Sequence, residues 1–256
     1  YRKPHMRNIL LKLKYLGTNY HGWQVQSNAS TVQETLQDAV EQILQSREDI
    51  KGCSRTDAGV HANMYCCTLR TDSEIECYKL MGALNSALPC DISVFSVEDV
   101  PFDFHPRYSC TAKQYIYKIH NSVARDPFLY GRALCYKPHI DEIMLNREAQ
   151  DFLGTHDFTT FCGTKTEVED CVRTIYDISV KRDGELVTIS VTGDGFLYNM
   201  VRIIVGTLLF INEGKCSPGS IPSMILGKDR SLAGQTAPAC GLYLNKVFYG
   251  GEEKSG

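Results

Sequence analysis

Residues 9 to 15 alternate, with Leu11, Leu13 and Tyr15 on one side and Lys12 and Lys14 on the other. A period of two predicts a half-buried strand. The segment that follows, Gly17-Thr18-Asn19-Tyr20-His21-Gly22-Trp23-Gln24, is rich in turn formers yet holds the only tryptophan of the chain. Val32, Leu36, Val40, Ile43 and Leu44 then recur at helical spacing, and Thr31 with Glu34 three residues on forms a capping-box pattern at the start. Met64 to Leu69 is strand-like, Tyr78 to Leu88 reads as a second helix ended by Pro89, and Ile92 to Val97 alternates as a strand. The first half therefore predicts strand, helix, strand, helix, strand.

The second half has a similar pattern. Gln114 to Ile119 predicts a strand with Tyr115, Tyr117 and Ile119 on one side, and Asp141 to Leu153 a helix closed by Gly154. Val172 to Val180 and Leu186 to Val191 predict a hairpin across a turn containing Asp183-Gly184. A helix around Arg202, a short segment from Ile221 to Leu226 and a final strand from Gly241 to Tyr249 complete the chain. This mixture predicts an α+β fold, with helices covering one face of a largely antiparallel sheet. The two halves, 1–108 and 109–249, are expected to meet near residues 105 to 112, and 250–256 is expected to be a disordered tail.

Composition narrows the picture. The chain has 256 residues, 43% hydrophobic and 22% charged, which suits a globular protein of one large or two small domains. Its formal net charge of -3 argues against a strongly basic nucleic-acid binder, although RNA binding follows local patches rather than totals. Eleven cysteines are an odd number, without a C-x-x-C pair or zinc-finger spacing, and Cys66, Cys67 and Cys135 sit in apolar runs. The expectation is a reduced, cytoplasmic protein with neither disulfides nor a structural metal. The most apolar stretch, Phe196 to Ile211, is shorter than the ~20 residues a bilayer needs. It carries Arg202 in its middle and reads as a buried helix.

Candidate chemistry concentrates in Cys53-Ser54-Arg55-Thr56-Asp57-Ala58-Gly59-Val60-His61-Ala62, between a helix and a strand. Asp57 is followed by two small residues that let another chain's backbone approach its carboxylate. A turn in which the Asp bonds its own backbone is the plain alternative. His61 is expected to bond the loop backbone. Arg202 is nearly the only charge in an all-round apolar helix, so its guanidinium is expected to be buried against a carboxylate, unless its head reaches solvent along its stem. Pairing with Asp57 would keep that aspartate ionised. No phosphate-loop, dinucleotide-binding or H-E-x-x-H pattern is present, so no cofactor or catalytic metal is implied.

The Ser54 to Ala62 stretch closely resembles the catalytic motif of the TruA-like tRNA pseudouridine synthases. Tyr15 to Gln24, Thr31 to Glu34, Phe104-His105-Pro106-Arg107, Lys113 to Tyr117, His156 to Thr159 and Asn199 to Gly206 resemble the same family in the same order. The resemblance implies the pseudouridine synthase fold, two similar α/β halves sharing a sheet with a central active-site cleft. It implies that Asp57 is the nucleophile, that Arg55 holds the target base out of the RNA stack, that Tyr115 packs on that base, and that Arg202 is set against Asp57. It implies isomerisation of uridine in tRNA, in the anticodon stem-loop at positions 38 to 40, by a homodimer that needs no cofactor. A basic lining of Lys12, Lys14, Arg55, Arg107, Lys113 and Lys118 is expected to meet the RNA. Leu16 and Lys113-Gln114 depart from the family pattern where RNA contacts are expected, which bears on substrate range. Two rivals are an inactive RNA-binding protein of the same fold and a base hydrolase using a lone carboxylate. For the hydrolase, no second carboxylate accompanies Asp57 in its motif, and Glu98 and Asp99, expected in a loop, have no motif support.

Overall fold

In the computed structural model, which describes residues 6–164 and 169–250, the first alternating segment is strand β1 (Arg7–Tyr15). It lies between β3 (His61–Thr71) and β4 (Ile92–Val100), antiparallel to both, and β2 (Ile50–Gly52) pairs with β3. Register sets Ile9, Leu11 and Leu13 opposite Leu69, Cys67 and Tyr65, and all six are buried. Because side chains alternate across a strand, Lys12 and Arg70 both belong to the other face, four residues apart along the ladder. Helices α1 (Val32–Leu44) and α2 (Cys77–Ala87) bury Leu36, Val40, Leu80 and Leu84 completely. Burial of each such side chain contributes roughly 1.5–3 kcal/mol. The capping pattern at Thr31 is real: its hydroxyl accepts the Glu34 N–H at 3.3 Å.

The chain divides into two compact units, one of residues 6–111 with 244–250, the other of residues 112–243. In the second, the strand order is β5 (Cys110–Asn121), β9 (Leu186–Gly193), β8 (Val172–Asp183), β7 (Gly154–Asp157), all antiparallel, with β6 (Leu134–Tyr136) parallel to β5. The β8–β9 hairpin closes with Asp183 opposite Leu186, and Gly184 takes φ +59° at its tip. Its helices are α3 (Glu142–Ala149), α4 (Met200–Asn212) and α5 (Ile221–Gly227). The last strand, β10 (Leu242–Tyr249), begins in the second unit and from Leu244 belongs to the first, beside β3.

Several expectations change. The helix expected over 141–153 stops at Ala149 and tightens into a 3-10 turn, Gln150–Phe152, before Gly154 takes φ +95°. The apolar stretch starts its helix only at Met200, because Asn199 adopts the left-handed conformation (φ +58°), so Arg202 lies in the first turn rather than mid-helix. The short strands β2, β6 and β7 have too few residues to leave a periodic signal. Cys135 is exposed on β6, while burial pushes the thiols of Cys66 and Cys67 up. Glu98 and Asp99 lie on β4, not in a loop, and are engaged with Lys12 (3.7 Å) and Arg7 (2.8 Å). Beyond Gly250 the expected tail lies outside the described residues. No helix among the described residues is long and apolar enough to cross a membrane.

Candidate active site

The loop that carries Asp57 is held by its own unit from several sides. The Trp23 N–H donates to the Thr56 carbonyl (3.1 Å) and the Gly59 N–H to the Tyr20 carbonyl (3.2 Å). Within the loop, the Val60 N–H donates to the Asp57 carbonyl (3.1 Å), and Gly59 takes φ +79°. The hydroxyls of Tyr15 and Thr56 are 2.8 Å apart, and the Tyr65 hydroxyl donates to the Ser54 carbonyl (2.5 Å). Burial raises the Tyr65 phenol well above its ordinary value, so it stays a neutral donor. Trp23 stacks on Tyr65 with ring centres 4.1 Å apart. Asp57 is half-buried and Arg55 exposed on this braced loop. The backbone that carries the carboxylate is thus braced before any substrate arrives, which is what a group acting on a bound substrate requires.

His61 is fully buried at the loop's exit, where its Nδ1 accepts the Gly17 N–H at 2.9 Å. It bonds backbone as expected, but that of Gly17 in the segment after β1 rather than that of its own loop. Gly17 and Gly22 make the close approach possible: a Cβ on Gly17 would sit 1.9 Å from the Val60 carbonyl oxygen, and one on Gly22 2.3 Å from that of Thr56.

In the second unit, Tyr115 lies on β5 opposite Val191, buried, with its ring edge-to-face with Phe196 at 5.1 Å. Tyr117 on the same side is fully buried, and its hydroxyl donates to the Pro238 carbonyl at 2.7 Å. Burial raises its pKa, consistent with a core phenol. Arg202 is half-buried rather than buried. Its Nε donates to the Ala237 carbonyl (2.7 Å) and its Nη1 to the Asn199 side-chain oxygen (3.1 Å), while its own carbonyl accepts the Ala237 N–H (3.0 Å). Behind it α4 meets the 234–237 segment so closely that a Cβ on Gly206 would lie 1.6 Å from the Gln235 carbonyl oxygen.

The expected basic lining is mixed. Lys14 and Arg107 are exposed, Lys113 is half-buried, and Lys12 is drawn toward Glu98. Lys118 departs from expectation: its ammonium sits 4.4 Å from the centre of the Tyr243 ring, and burial lowers its pKa. Gln114, expected where RNA would touch, is buried with its amide on the Thr192 hydroxyl at 3.2 Å. Sequence reading missed the bracing set of Tyr15, Trp23, Thr56 and Tyr65. The one available signal was a tryptophan inside a turn-rich segment. A cavity of about 450 Å³ in the second unit, lined by Phe210, Arg230, Ser231 and Gln235 among others, includes none of the predicted residues. No three His, Cys, Asp or Glu converge as a metal site among the described residues.

The chain is similar to known proteins. A family model described as tRNA pseudouridine synthase matches residues 13–109 and 149–250, and so contains the Asp57 loop and α4. That match defines the class, a pseudouridine synthase with its α+β fold. Relatives named tRNA pseudouridine synthase A extend over nearly the whole chain. The one from Ruminiclostridium cellulolyticum is 45% identical over 95% of this chain and 100% of its own, and that from Clostridium acetobutylicum 44% over the same shares. One named tRNA pseudouridine synthase A 2, from Clostridium tetani, is 41% identical over 95% of this chain and 99% of its own. A solved structure titled as a Cbf5-Nop10-Gar1 complex is a distant likeness, at 13% identity and TM-score 0.38, covering 94% of this chain and 58% of that one. The chain belongs to the tRNA pseudouridine synthase family, and with it to the isomerases that act on uridine in tRNA.

Proposed function

We propose that this chain converts uridine to pseudouridine in the anticodon stem-loop of tRNA, at positions 38 to 40, with Asp57 as the nucleophile. The observation that carries this reading is the Asp57 loop, a half-buried carboxylate whose flanking backbone is bonded to Tyr20, Trp23 and Tyr65, beside an exposed arginine. In the reaction the N1–C1′ bond breaks, the freed uracil turns, and C5 bonds to C1′. The C5 proton then leaves as N1 regains one, so no external oxidant or group donor is consumed. The target must first leave the base stack, which costs a few kcal/mol. The planar head of Arg55 fills the gap. Asp57 acts at the sugar, as a glycosidase carboxylate does when charge develops at C1′. Tyr115 packs on the uracil. In this reading Arg202 is the cation that favours the ionised form of Asp57. Lys12, Lys14, Arg107 and Lys113 take phosphates. The working form in this reading is a cytoplasmic homodimer, one tRNA reaching across both subunits.

The test is pseudouridine mapping on unmodified tRNA treated with wild-type protein or with Asp57→Ala, without added metal or nucleotide. Pseudouridine in the anticodon arm from wild type alone supports both reaction and nucleophile. Tight tRNA binding by wild type without any pseudouridine would sink the reading and favour an inactive RNA-binding protein of the same fold.

A further inference from the structure

A second basic and aromatic cluster lies in the first unit, away from the Asp57 loop. It is built on the segment after β4, residues 101–109, which is firmly anchored. The Asn8 side-chain amide donates to the carbonyls of Pro101 and Phe104 (both 3.0 Å), and the Tyr249 hydroxyl donates to that of Pro106 (2.7 Å). The Arg70 guanidinium donates to the Phe102 carbonyl (2.9 Å) and stacks over the Phe102 ring at 4.0 Å. His105 Nδ1 accepts the N–H groups of Arg107 (3.1 Å) and Tyr108 (3.3 Å), and its ring lies 4.3 Å from that of Tyr108. The anchored segment thus displays its aromatics outward: Phe102 is 53% exposed and Tyr108 78%.

The charge around it is positive. Burial lowers the pKa of His105, and Lys51, Arg107 and Arg70 lower it further. Three acids temper these cations: Asp49 lies 3.3 Å from Lys51, exposed Asp103 sits within the segment itself, and Glu98 is 3.7 Å from Lys12 on the same sheet face. Register places Lys51 opposite Thr68, so Lys51 and Arg70 share the sheet face that also bears Lys12. The cluster therefore continues one of the expected RNA-contacting rows. From His61, at the exit of the Asp57 loop, to Arg70 is roughly 30 Å of extended strand.

We propose that Lys51, Arg70, Phe102, His105, Arg107 and Tyr108 form a second RNA-docking surface that grips tRNA at a distance from the target uridine. The inference rests on the tRNA reading above. Exposed aromatic faces beside solvent-facing cations are the combination that stacks bases and takes phosphates. A hairpin confined to the anticodon arm is too short to engage both this surface and the Asp57 loop, whereas a whole tRNA is long enough.

The experiment compares binding of full-length tRNA and of an anticodon-arm hairpin to wild type, to a Lys51→Gln/Arg70→Gln double variant and to Tyr108→Ala. Neither variant touches the proposed catalytic set. For whole tRNA the double variant should weaken binding about tenfold at moderate salt, and the slope of log K against log salt should shrink by about 2, near 0.9 per lost phosphate contact. Tyr108→Ala should weaken binding about tenfold with the slope unchanged, because stacking releases no counterions. Hairpin affinity should stay as in wild type. Equal weakening of hairpin and tRNA, or no weakening of either, overturns the proposal. So does a change in sedimentation with RNA affinity intact, which would make the patch a contact between copies. Turnover is read separately: wild type that binds in the expected pattern yet makes no pseudouridine refutes the proposed function and leaves this surface standing.

Discussion

Gly22 shows how much of the candidate site depends on a residue without a side chain. Its φ of +83° lies in the left-handed region, and a Cβ there would press to 2.3 Å of the Thr56 carbonyl oxygen, next to Asp57. Gly22→Ala is expected to lower stability by about 2–4 kcal/mol, the conformational cost plus the clash. Activity should fall further than the folded fraction does, because relief requires moving the Asp57 loop. Gly82 in α2 is the control, as nothing lies within 4 Å of its added Cβ. Gly82→Ala should stabilise by about 0.5–1 kcal/mol with turnover unchanged. Urea midpoints together with turnover per folded molecule distinguish the two, and an unchanged turnover in Gly22→Ala would show that the loop is not held by this contact. At this scale the sequence displays Arg55 and Asp57 openly. It hides their supports, since the packing of Trp23 on Tyr65 joins residues with no shared local pattern.

At the scale of elements, periodicity carried the long segments and failed on the short ones. β1, α1 and the β8–β9 hairpin were legible because a buried face repeats at a period of 2 or 3.6 over many residues. α3 ends short of the expected helix because Leu145, Ala149, Phe152 and Leu153 keep the apolar spacing of a helix, while the backbone tightens at Gln150. The end of β7 gives an element-scale prediction. Asp157 accepts the Thr159 hydroxyl (2.5 Å) and N–H (3.0 Å), and Lys228, just after α5, lies 3.0 Å away. The Thr159 hydroxyl bond, then Lys228, hold the Asp157 carboxyl below its usual value. A depressed carboxyl contributes stability that is fully present above the unfolded value of about 3.9 and is lost as pH falls through the folded one. Thr159→Val should therefore raise the Asp157 titration midpoint and cost about 1–2 kcal/mol at neutral pH, with the cost shrinking in acid. Carboxyl-detected NMR titration with denaturation at pH 7 and pH 3 measures both. A pH-independent cost would assign the effect to packing instead.

For the molecule as a whole, local pattern announces the last strand but not the neighbours it joins, because those neighbours lie more than a hundred residues earlier in the chain. From Leu244 onward β10 belongs to the unit that carries Asp57. There Asn245 accepts from the Asn63 side chain (2.9 Å), the Phe248 carbonyl accepts the Thr111 hydroxyl (3.2 Å), and the Tyr249 ring lies 5.0 Å from Phe104. Leu244, Val247 and Phe248 are all buried. At roughly 1.5–3 kcal/mol each, their removal withdraws about 5–9 kcal/mol. That is comparable with the whole stability of an ordinary domain, about 5–15 kcal/mol. It would also leave β3 hydrogen-bonding groups without their strand. A fragment ending at Thr111 should therefore fail to fold although it contains the entire Asp57 loop. Its amide spectrum should be poorly dispersed and its denaturation uncooperative, while the full chain unfolds with a sharp transition. A cooperative, well-dispersed fragment would instead mean that β1 to β4 and their two helices suffice, and that the Asp57 loop's support is local.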